Sequence, residues 1–210
     1  MQVSQVTTAM VNMDDLIEKA MTGDERSFNQ LVSLWYKRIY NYVLKQCSVE
    51  ELASDITQRT FISVFRNLAK LKDITRFKPW IYRIATNYCH EEGRKWSRSR
   101  TVPFTTSQGD DGETMIREEG QAEGAFYNPE MSYRQQEMQR ILFASLQKIS
   151  EDQRSVIIMK EYEGMKFREI AEVMDTSENT VKTWMYRGLK LLKNYLEEER
   201  ITKETLSYEL

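Results

Sequence analysis

Apolar positions recur at helical intervals along most of the chain. They lie three and four residues apart from Phe28 to Val43, and again from Ile141 to Ile149. This spacing puts one apolar stripe on an α-helix. The sequence therefore predicts an all-α protein. Helices are expected at about 13–21, 25–46, 49–70, 79–96, 133–149, 151–163, 166–174 and 177–196.

Side chains at the ends of these segments predict where helices begin. Ser48 and Ser150 each precede a Glu or Gln by three residues, so the sequence predicts a capping box at each. Pro79 suits the first turn of the fourth helix, where its missing N–H costs nothing. Ser177 is the expected cap of the last helix. The third helix is expected to bury Leu52, Ile56, Val64, Phe65 and Leu68.

Helical periodicity stops after Arg100 and resumes at about Tyr133. The intervening residues are rich in Gly, Thr, Ser, Gln and acids, and a loop of that length is unusual inside one compact domain. We therefore expect two helical domains on a flexible joint. The expected division is a helical domain at 1–100, a flexible acidic linker at 101–132, a second helical domain at 133–197 and a tail at 198–210.

Composition limits the function classes open to the chain. Its 210 residues include two cysteines and one histidine, too few for a disulfide framework or a compact metal site, so no metal or other cofactor is expected. Without a second histidine, most nucleophile-and-base arrangements are excluded, and no enzyme is expected. No stretch approaches the apolar length of a membrane-spanning helix and the first eighteen residues lack Lys and Arg. We therefore expect a cytoplasmic protein with no membrane insertion.

Charge is sorted by segment, although the net charge is only −2. Residues 76–100 are basic, and residues 107–130 are acidic. A basic helical face can hold a single nucleic-acid strand through its phosphates, while the preceding loop can receive a base rotated out of the stack. The side chains that share such a face are Arg83, Asn87, His90 and Arg94.

Two short helical segments around the turn "DTS" at 175–177 predict a helix-turn-helix. Asn and Thr near the start of its second helix can reach base edges in the major groove, and Lys and Arg further along can neutralise phosphates. A basic solvated face on an ordinary bundle helix would show the same pattern. Val181, Met185 and Leu192 are expected to be buried, which turns outward Asn179, Lys182, Thr183, Tyr186, Arg187 and Lys190.

The C-terminal half carries Gln153-Arg154, then "EIA" at 169–171 and "TVK" at 180–182, followed by Arg187. In this order the motifs resemble the C-terminal domain of extracytoplasmic-function (ECF) sigma factors, the two-domain bacterial initiation factors. Three earlier blocks resemble, in order, the conserved blocks of the family's first domain: 27–47, 53–68 and 77–98. The resemblance implies a sigma region 2 helical bundle followed by a sigma region 4 helix-turn-helix.

The resemblance also implies three binding surfaces. The third helix matches the family's "D-x-x-Q-x-x-F" block, which binds the coiled coil of the polymerase β′ subunit; this implies Asp55, Gln58, Arg59, Phe61 and Ile62 as polymerase-binding residues. The basic segment would recognise and open the minus-ten element with Arg76, Lys78, Arg83, Asn87, His90, Glu91, Arg94 and Lys95. The last helix would read the minus-thirty-five duplex with Asn179, Thr180, Lys182, Thr183, Tyr186, Arg187 and Lys190.

Five positions depart from the family pattern. Arg59 stands where an acidic residue is usual, and Glu91 and Gly93 stand where Asp and Leu are common. Glycine in mid-helix costs about 1 kcal/mol relative to alanine, so the fourth helix is expected to fray or bend there. Trp184 and Leu189 replace residues that are often Arg, which predicts fewer phosphate contacts and weaker DNA binding.

The resemblance implies promoter-specific transcription initiation. The implied partners are core RNA polymerase, through its β′ coiled coil and β subunit, promoter DNA, both duplex and single-stranded, and an anti-sigma factor. The acidic linker is either a solvated tether or a nucleic-acid mimic in the RNA-exit channel. Two alternatives remain: a helix-turn-helix regulator with an N-terminal sensory domain, and a helical interaction protein without a DNA role.

Overall fold

The computed structural model describes residues 12–99 and 132–198. Within these two stretches the chain is helical and has no strand, which confirms the predicted all-α fold. The expectations for most of the linker and for nearly all of the tail fall outside the described residues and stay predictions. The helices are α1 (Met13–Met21), α2 (Glu25–Cys47), α3 (Glu50–Asn67), α4 (Phe77–Ser99), α5 (Tyr133–Gln147), α6 (Glu151–Glu161), α7 (Phe167–Met174) and α8 (Glu178–Glu198), with 3-10 turns at Leu68–Lys70 and Ile74–Arg76.

Helices α2, α3 and α4 form the N-terminal bundle, and α1 packs across α2. Its centre is aromatic: the rings of Tyr42 and Tyr82 meet edge to face, with 5.0 Å between centroids. The buried Tyr42 hydroxyl shares a 2.7 Å hydrogen bond with the Thr86 hydroxyl, and burial raises the pKa of Tyr42. The N-terminal bundle thus has a polar group at its core that is satisfied by a partner on α4.

Helices α5 to α8 form the C-terminal bundle, with Phe143, Ile158 and Val181 in its core. Gly188 of α8 packs against Ile157 and Gln153 of α6. A Cβ atom at Gly188 would lie 2.8 Å from Ile157 Cδ1, closer than packed carbon atoms come. The position therefore has no room for a side chain in this packing.

The helix starts agree only in part with the predicted caps. Half of the capping box predicted at Ser150 is present: Ser150 accepts a 3.3 Å hydrogen bond from the Gln153 N–H, but the buried Gln153 Oε1 has no hydrogen-bond partner and the return bond is missing. The capping box predicted at Ser48 is wrong: Ser48 ends α2 in the left-handed conformation, and α3 starts after Val49 with no side-chain cap. A residue that closes the preceding helix lacks the extended backbone of an N-cap. A complete capping box forms instead at Ser132 and Gln135.

The burial predicted for Phe65 is also wrong, because this side chain is 63% exposed. Val64, one residue earlier, is fully buried. Successive helical residues are rotated by about 100°, and here Val64 points into the core while Phe65 points away from it. The Phe65 ring instead lies at the rim, edge-on to Phe28 at 5.0 Å.

The N-terminal and C-terminal bundles lie against each other: α2 contacts α5 and α6, and α4 contacts α7. Gln147 donates a 3.1 Å hydrogen bond to the Lys45 carbonyl. The Lys45 ammonium lies 4.9 Å from the centre of the Tyr162 ring, and burial lowers the pKa of Lys45. The sequence predicted two helical bundles but not this contact between them.

Candidate functional site

The outer face of α3 combines polar and apolar side chains. Asp55 and Gln58 are exposed, and Ile62 is 43% exposed. Phe61, predicted with them, is buried at 8% exposure and stacks on Tyr36 with centroids 6.0 Å apart. Phe65 joins Ile62 on this exposed face, although sequence reasoning assigned it to the core.

Arg59, predicted on the same surface, turns toward α4. Its guanidinium donates to Glu92 at 2.6 Å and to Glu91 at 3.3 Å, and lies 3.6 Å from Asp55. It also lies 4.5 Å from the centre of the Tyr88 ring, a cation–π distance. The hydrogen bond with Glu92 and the neighbouring carboxylates raise the pKa of Arg59. This side chain therefore links α3 to α4 through ion pairs.

Three of the predicted minus-ten cations are engaged by the C-terminal bundle. Arg83 lies 3.2 Å from Asp175, and Arg76 lies 3.3 Å from Glu172. Lys78 donates a 2.7 Å hydrogen bond to the carbonyl of Glu163. The carboxylate of the same glutamate accepts from the Tyr82 hydroxyl. We name Arg76, Lys78, Tyr82 and Arg83 the α4 face, and Glu163, Glu172 and Asp175 the acidic patch.

His90 lies further along α4, where the ring nitrogen Nε2 is 3.4 Å from the Ser155 hydroxyl of α6. Burial is the main cause that lowers the pKa of His90, which favours the neutral imidazole. Charged groups act on the ring in both directions. Those that raise its pKa are Glu151 and Asp152, and those that lower it are Arg94 and Arg154.

The remaining predicted minus-ten residues differ in their surroundings. Asn87 and Arg94 are exposed. Lys95 is exposed and bridges Glu91 and Glu92 at 2.8 Å each. Glu91 and Glu92 are also the partners of Arg59. These two carboxylates balance the charges of the two cations, so Lys95 adds no net positive charge to the surface. The end of α4 is thus a mixed-charge network.

The helix-turn-helix predicted at the C-terminus is present as α7, a turn and α8. Asp175 turns the chain with a φ of 54°, a left-handed conformation that aspartate tolerates better than most residues. Ser177 caps α8 as predicted: its hydroxyl accepts from the Thr180 N–H at 3.1 Å. The Thr180 hydroxyl is itself 2.9 Å from Ser177, so it belongs to the cap.

The outward face of α8 is open over most of its length. The Tyr186 side chain is 70% exposed, and Val181 and Met185 are buried as predicted. Lys182 is half-buried, with its ammonium 5.9 Å from the centre of the Phe167 ring. The fully exposed members are Asn179, Thr183, Tyr186, Arg187 and Lys190.

Three of the residues that depart from the family pattern, Trp184, Leu189 and Gly93, lie in different surroundings. Trp184 is half-buried against the core, whereas Leu189 is 41% exposed on α8. Helix α4 runs through Gly93 without interruption to Ser99, so the expected fraying is not present there. A Cβ at Gly93 would lie 1.8 Å from the Glu151 carboxylate, so a side chain at this position would displace the end of the Glu151 side chain.

Within the described parts of the chain, no cluster of His, Cys, Asp or Glu has the arrangement of a metal site. A cavity lined by residues of both bundles, among them Cys47, Cys89 and His90, has a volume of about 10 Å³. That is room for one water molecule. Among the described helices, none is long and apolar enough to cross a membrane.

Two family models match the chain. Sigma-70 region 2 matches residues 31–99 and sigma-70 region 4 matches residues 139–192. These segments hold α4 and the helix-turn-helix, respectively. The order and spacing of the two matches define a sigma-70-type initiation factor that carries regions 2 and 4.

The whole chain is similar to curated sigma factors of one group. It is 27% identical over 186 residues to the ECF RNA polymerase sigma-E factor of Haemophilus influenzae, covering 87% of this chain and 94% of that protein. The sigma-E factor of Escherichia coli K12 is 28% identical over 183 residues, or 85% and 91% of the two chains. The chain belongs to the ECF sigma factor family. Its members are initiation factors and not enzymes.

Solved structures show the same fold. CnrH in complex with the cytosolic domain of CnrY superimposes with a TM-score of 0.62 at 22% identity, covering 89% of this chain and 97% of that chain. RpoE in complex with the anti-sigma factor NepR from Bartonella quintana also gives 0.62, at 19% identity, covering 82% and 98%. The helical fold is therefore shared with both of these solved structures.

Proposed function

We propose that this ECF sigma factor binds core RNA polymerase and directs promoter-specific initiation through three surfaces. The chain reads the minus-thirty-five duplex with α8, the melted minus-ten strand with α4, and docks on the polymerase β′ coiled coil with α3. The observation that carries the assignment is the α8 face. Five polar or basic side chains stand exposed on a capped helix and take no part in the core, which is the arrangement that duplex reading requires.

The polymerase surface on α3 is proposed to centre on Ile62 and Phe65. Their exposed side chains are contiguous with Asp55 and Gln58 on the same helix. Exposed apolar side chains rimmed by polar ones are typical of protein-binding surfaces. Arg59 is not included, because its guanidinium is engaged with α4.

Further partners follow from the same role. Structures related in fold contain an anti-sigma factor or the cytosolic domain of a second protein, and we propose a protein inhibitor for this chain as well. Because core polymerase and the chromosome share the bacterial cytoplasm, this factor is proposed to act there. A sensory N-terminal domain is not needed, since residues 31–99 match sigma region 2.

In vitro transcription tests the proposal. The full chain, core polymerase and a pool of genomic promoter fragments are expected to give transcripts that are absent without the factor. Arg187→Ala with Lys190→Ala is expected to reduce their yield by about tenfold, because these cations would neutralise DNA phosphates. Arg140→Ala, which removes one exposed cation of α5, is the control. Transcripts that do not depend on the factor would contradict the proposed function.

A further inference from the structure

The Phe167 ring, at the start of α7, contacts lysine side chains from two other helices. The residue is half-buried and packs against the C-terminal core. The Lys160 ammonium of α6 lies 5.0 Å from the centre of its ring, and the Lys182 ammonium of α8 lies 5.9 Å from it. Both distances are within the range of a cation–π contact. One aromatic side chain therefore joins the three helices α6, α7 and α8.

The two lysines differ in their other partners. The Lys160 ammonium also donates a 3.3 Å hydrogen bond to the Met165 carbonyl. Within the described residues, the Lys182 ammonium has no partner except the ring. A ring face holds a cation without neutralising its charge, and the three N–H donors of Lys182 stay available for an anion. Arg76 and Arg83 of the α4 face differ in this respect, since carboxylates of the acidic patch balance their charges.

Lys182 lies at the edge of the outward face of α8 that is nearest to α7. It shares this face with Asn179 and Tyr186, which precede and follow it by three and four residues. In a helix-turn-helix the second helix enters the major groove while the first helix crosses the phosphate backbone. A cation held between these two helices is therefore suited to a phosphate at the rim of the groove rather than to a base edge.

A lysine side chain has four rotatable bonds, so a phosphate contact costs conformational entropy when the side chain is free to move. The ring contact restricts the Lys182 side chain before a duplex binds. Such preorganisation increases affinity, because binding then requires less ordering. A leucine in place of Phe167 would also be apolar, but it would not attract an ammonium.

We propose that Phe167 is a positioning residue, whose ring holds the Lys182 ammonium ready for one phosphate of the duplex that α8 reads. The inference rests on the proposed function for the identity of that duplex. Phe167 acts through Lys182 and makes no DNA contact of its own. Its effect on duplex affinity therefore depends on the presence of Lys182, whereas an effect through the fold would not.

A double-mutant cycle measures this dependence. Phe167→Leu removes the ring face and keeps an apolar side chain, and Lys182→Met removes the ammonium and keeps an unbranched stem. The wild type, the two single variants and the double variant are compared as full-length chains without polymerase. The probe is a fluorescent mixed-sequence duplex of about 40 base pairs at low salt, because phosphate contacts do not depend on base sequence.

Phe167→Leu is expected to weaken duplex binding about two- to fivefold, the effect of one exposed cation–π contact. In the Lys182→Met background the same substitution is expected to leave the affinity unchanged. Lys182→Met alone is expected to weaken binding and to lower the slope of log affinity against log salt by about one. An unchanged affinity of Phe167→Leu, or equal losses from this substitution in both backgrounds, would overturn the proposal.

Three further variants serve as controls. Phe167→Tyr keeps the aromatic face and is expected to retain the affinity of the wild type; a loss as large as that of Phe167→Leu would count against the ring as the cause. Lys193→Met removes another lysine of α8, which pairs with Glu197, and Phe167→Leu is expected to keep its full effect in that background. Phe167→Met also removes the ring, and it replaces Phe167→Leu if that variant does not fold.

In vitro transcription separates this proposal from the function on which it rests. The wild type with core polymerase and genomic promoter fragments is expected to give factor-dependent transcripts. Their absence would contradict the proposed function, while the duplex-binding cycle would still decide whether Phe167 acts through Lys182.

Discussion

Replacing Arg59 by Met tests whether this side chain serves the fold or the polymerase. The substitution keeps an apolar stem of similar length and removes the guanidinium. It leaves Glu92, whose side chain is only 19% exposed, without its 2.6 Å partner on α3. Glu91 and Glu92 would then share one cation, Lys95, and Asp55 would lose its ion pair with Arg59.

The loss in stability can be worked from the contacts. Hydrogen bonds to charged groups contribute about 1.5–3 kcal/mol, and the cation–π contact with Tyr88 adds about 0.5–1 kcal/mol. The Arg59 side chain is 29% exposed, so solvent screening brings the expected loss to about 2 kcal/mol. For a chain of this size that lowers the melting temperature by about 4–8 °C.

Thermal unfolding followed by circular dichroism measures the stability, and a pull-down with core polymerase measures binding below the transition. Arg59→Met is expected to melt earlier and to bind core polymerase as well as the wild type. Lys95→Met, which removes a more exposed cation of the same network, is the control and is expected to melt within about 1 °C of the wild type. Lost polymerase binding with an unchanged melting temperature would refute the reasoning.

Three further outcomes follow from the packing. Gly188→Ala places a Cβ 2.8 Å from Ile157 Cδ1 and is expected to cost about 1–3 kcal/mol, measured by urea unfolding; a neutral result would mean that α6 and α8 are further apart. Ser177→Ala removes the cap of α8 and is expected to cost about 1 kcal/mol and to raise amide exchange at its first turn. The packed state holds the pKa of His90 below its value of about 6.5 in the unfolded chain, so stability is expected to fall as pH drops below about 6.5, and His90→Gln should remove that dependence.

The helices could be predicted from the sequence because their signals are local. Apolar spacing alone places α2 and α7 within a residue or two of their observed bounds. Ser48 shows where local reasoning fails, since it satisfies the cap pattern but closes the preceding helix. The connection between α2 and α3 is so short that Ser48 could end the first helix or cap the second. The cap pattern in the sequence does not show which of the two roles the residue takes.

The sequence could predict which side chains of the candidate site point away from the core. It could not predict which residues those side chains contact. Periodicity turns Arg83 and Arg187 outward, and both are exposed. It cannot show that Arg83 meets Asp175, because their separation in sequence carries no periodic signal. Phe65 was misassigned for a related reason: hydrophobicity suggests burial, but only the packing partner decides it.

Ion pairs at α4 and a cation–π contact at α2 join the two bundles, and added salt affects them differently. The pairs Arg76–Glu172 and Arg83–Asp175 are exposed, and added salt screens them. The Lys45 cation is half-buried over the exposed Tyr162 ring, and its burial makes this contact less sensitive to salt. Added salt is therefore expected to weaken the contact of the bundles at α4 more than their contact at α2.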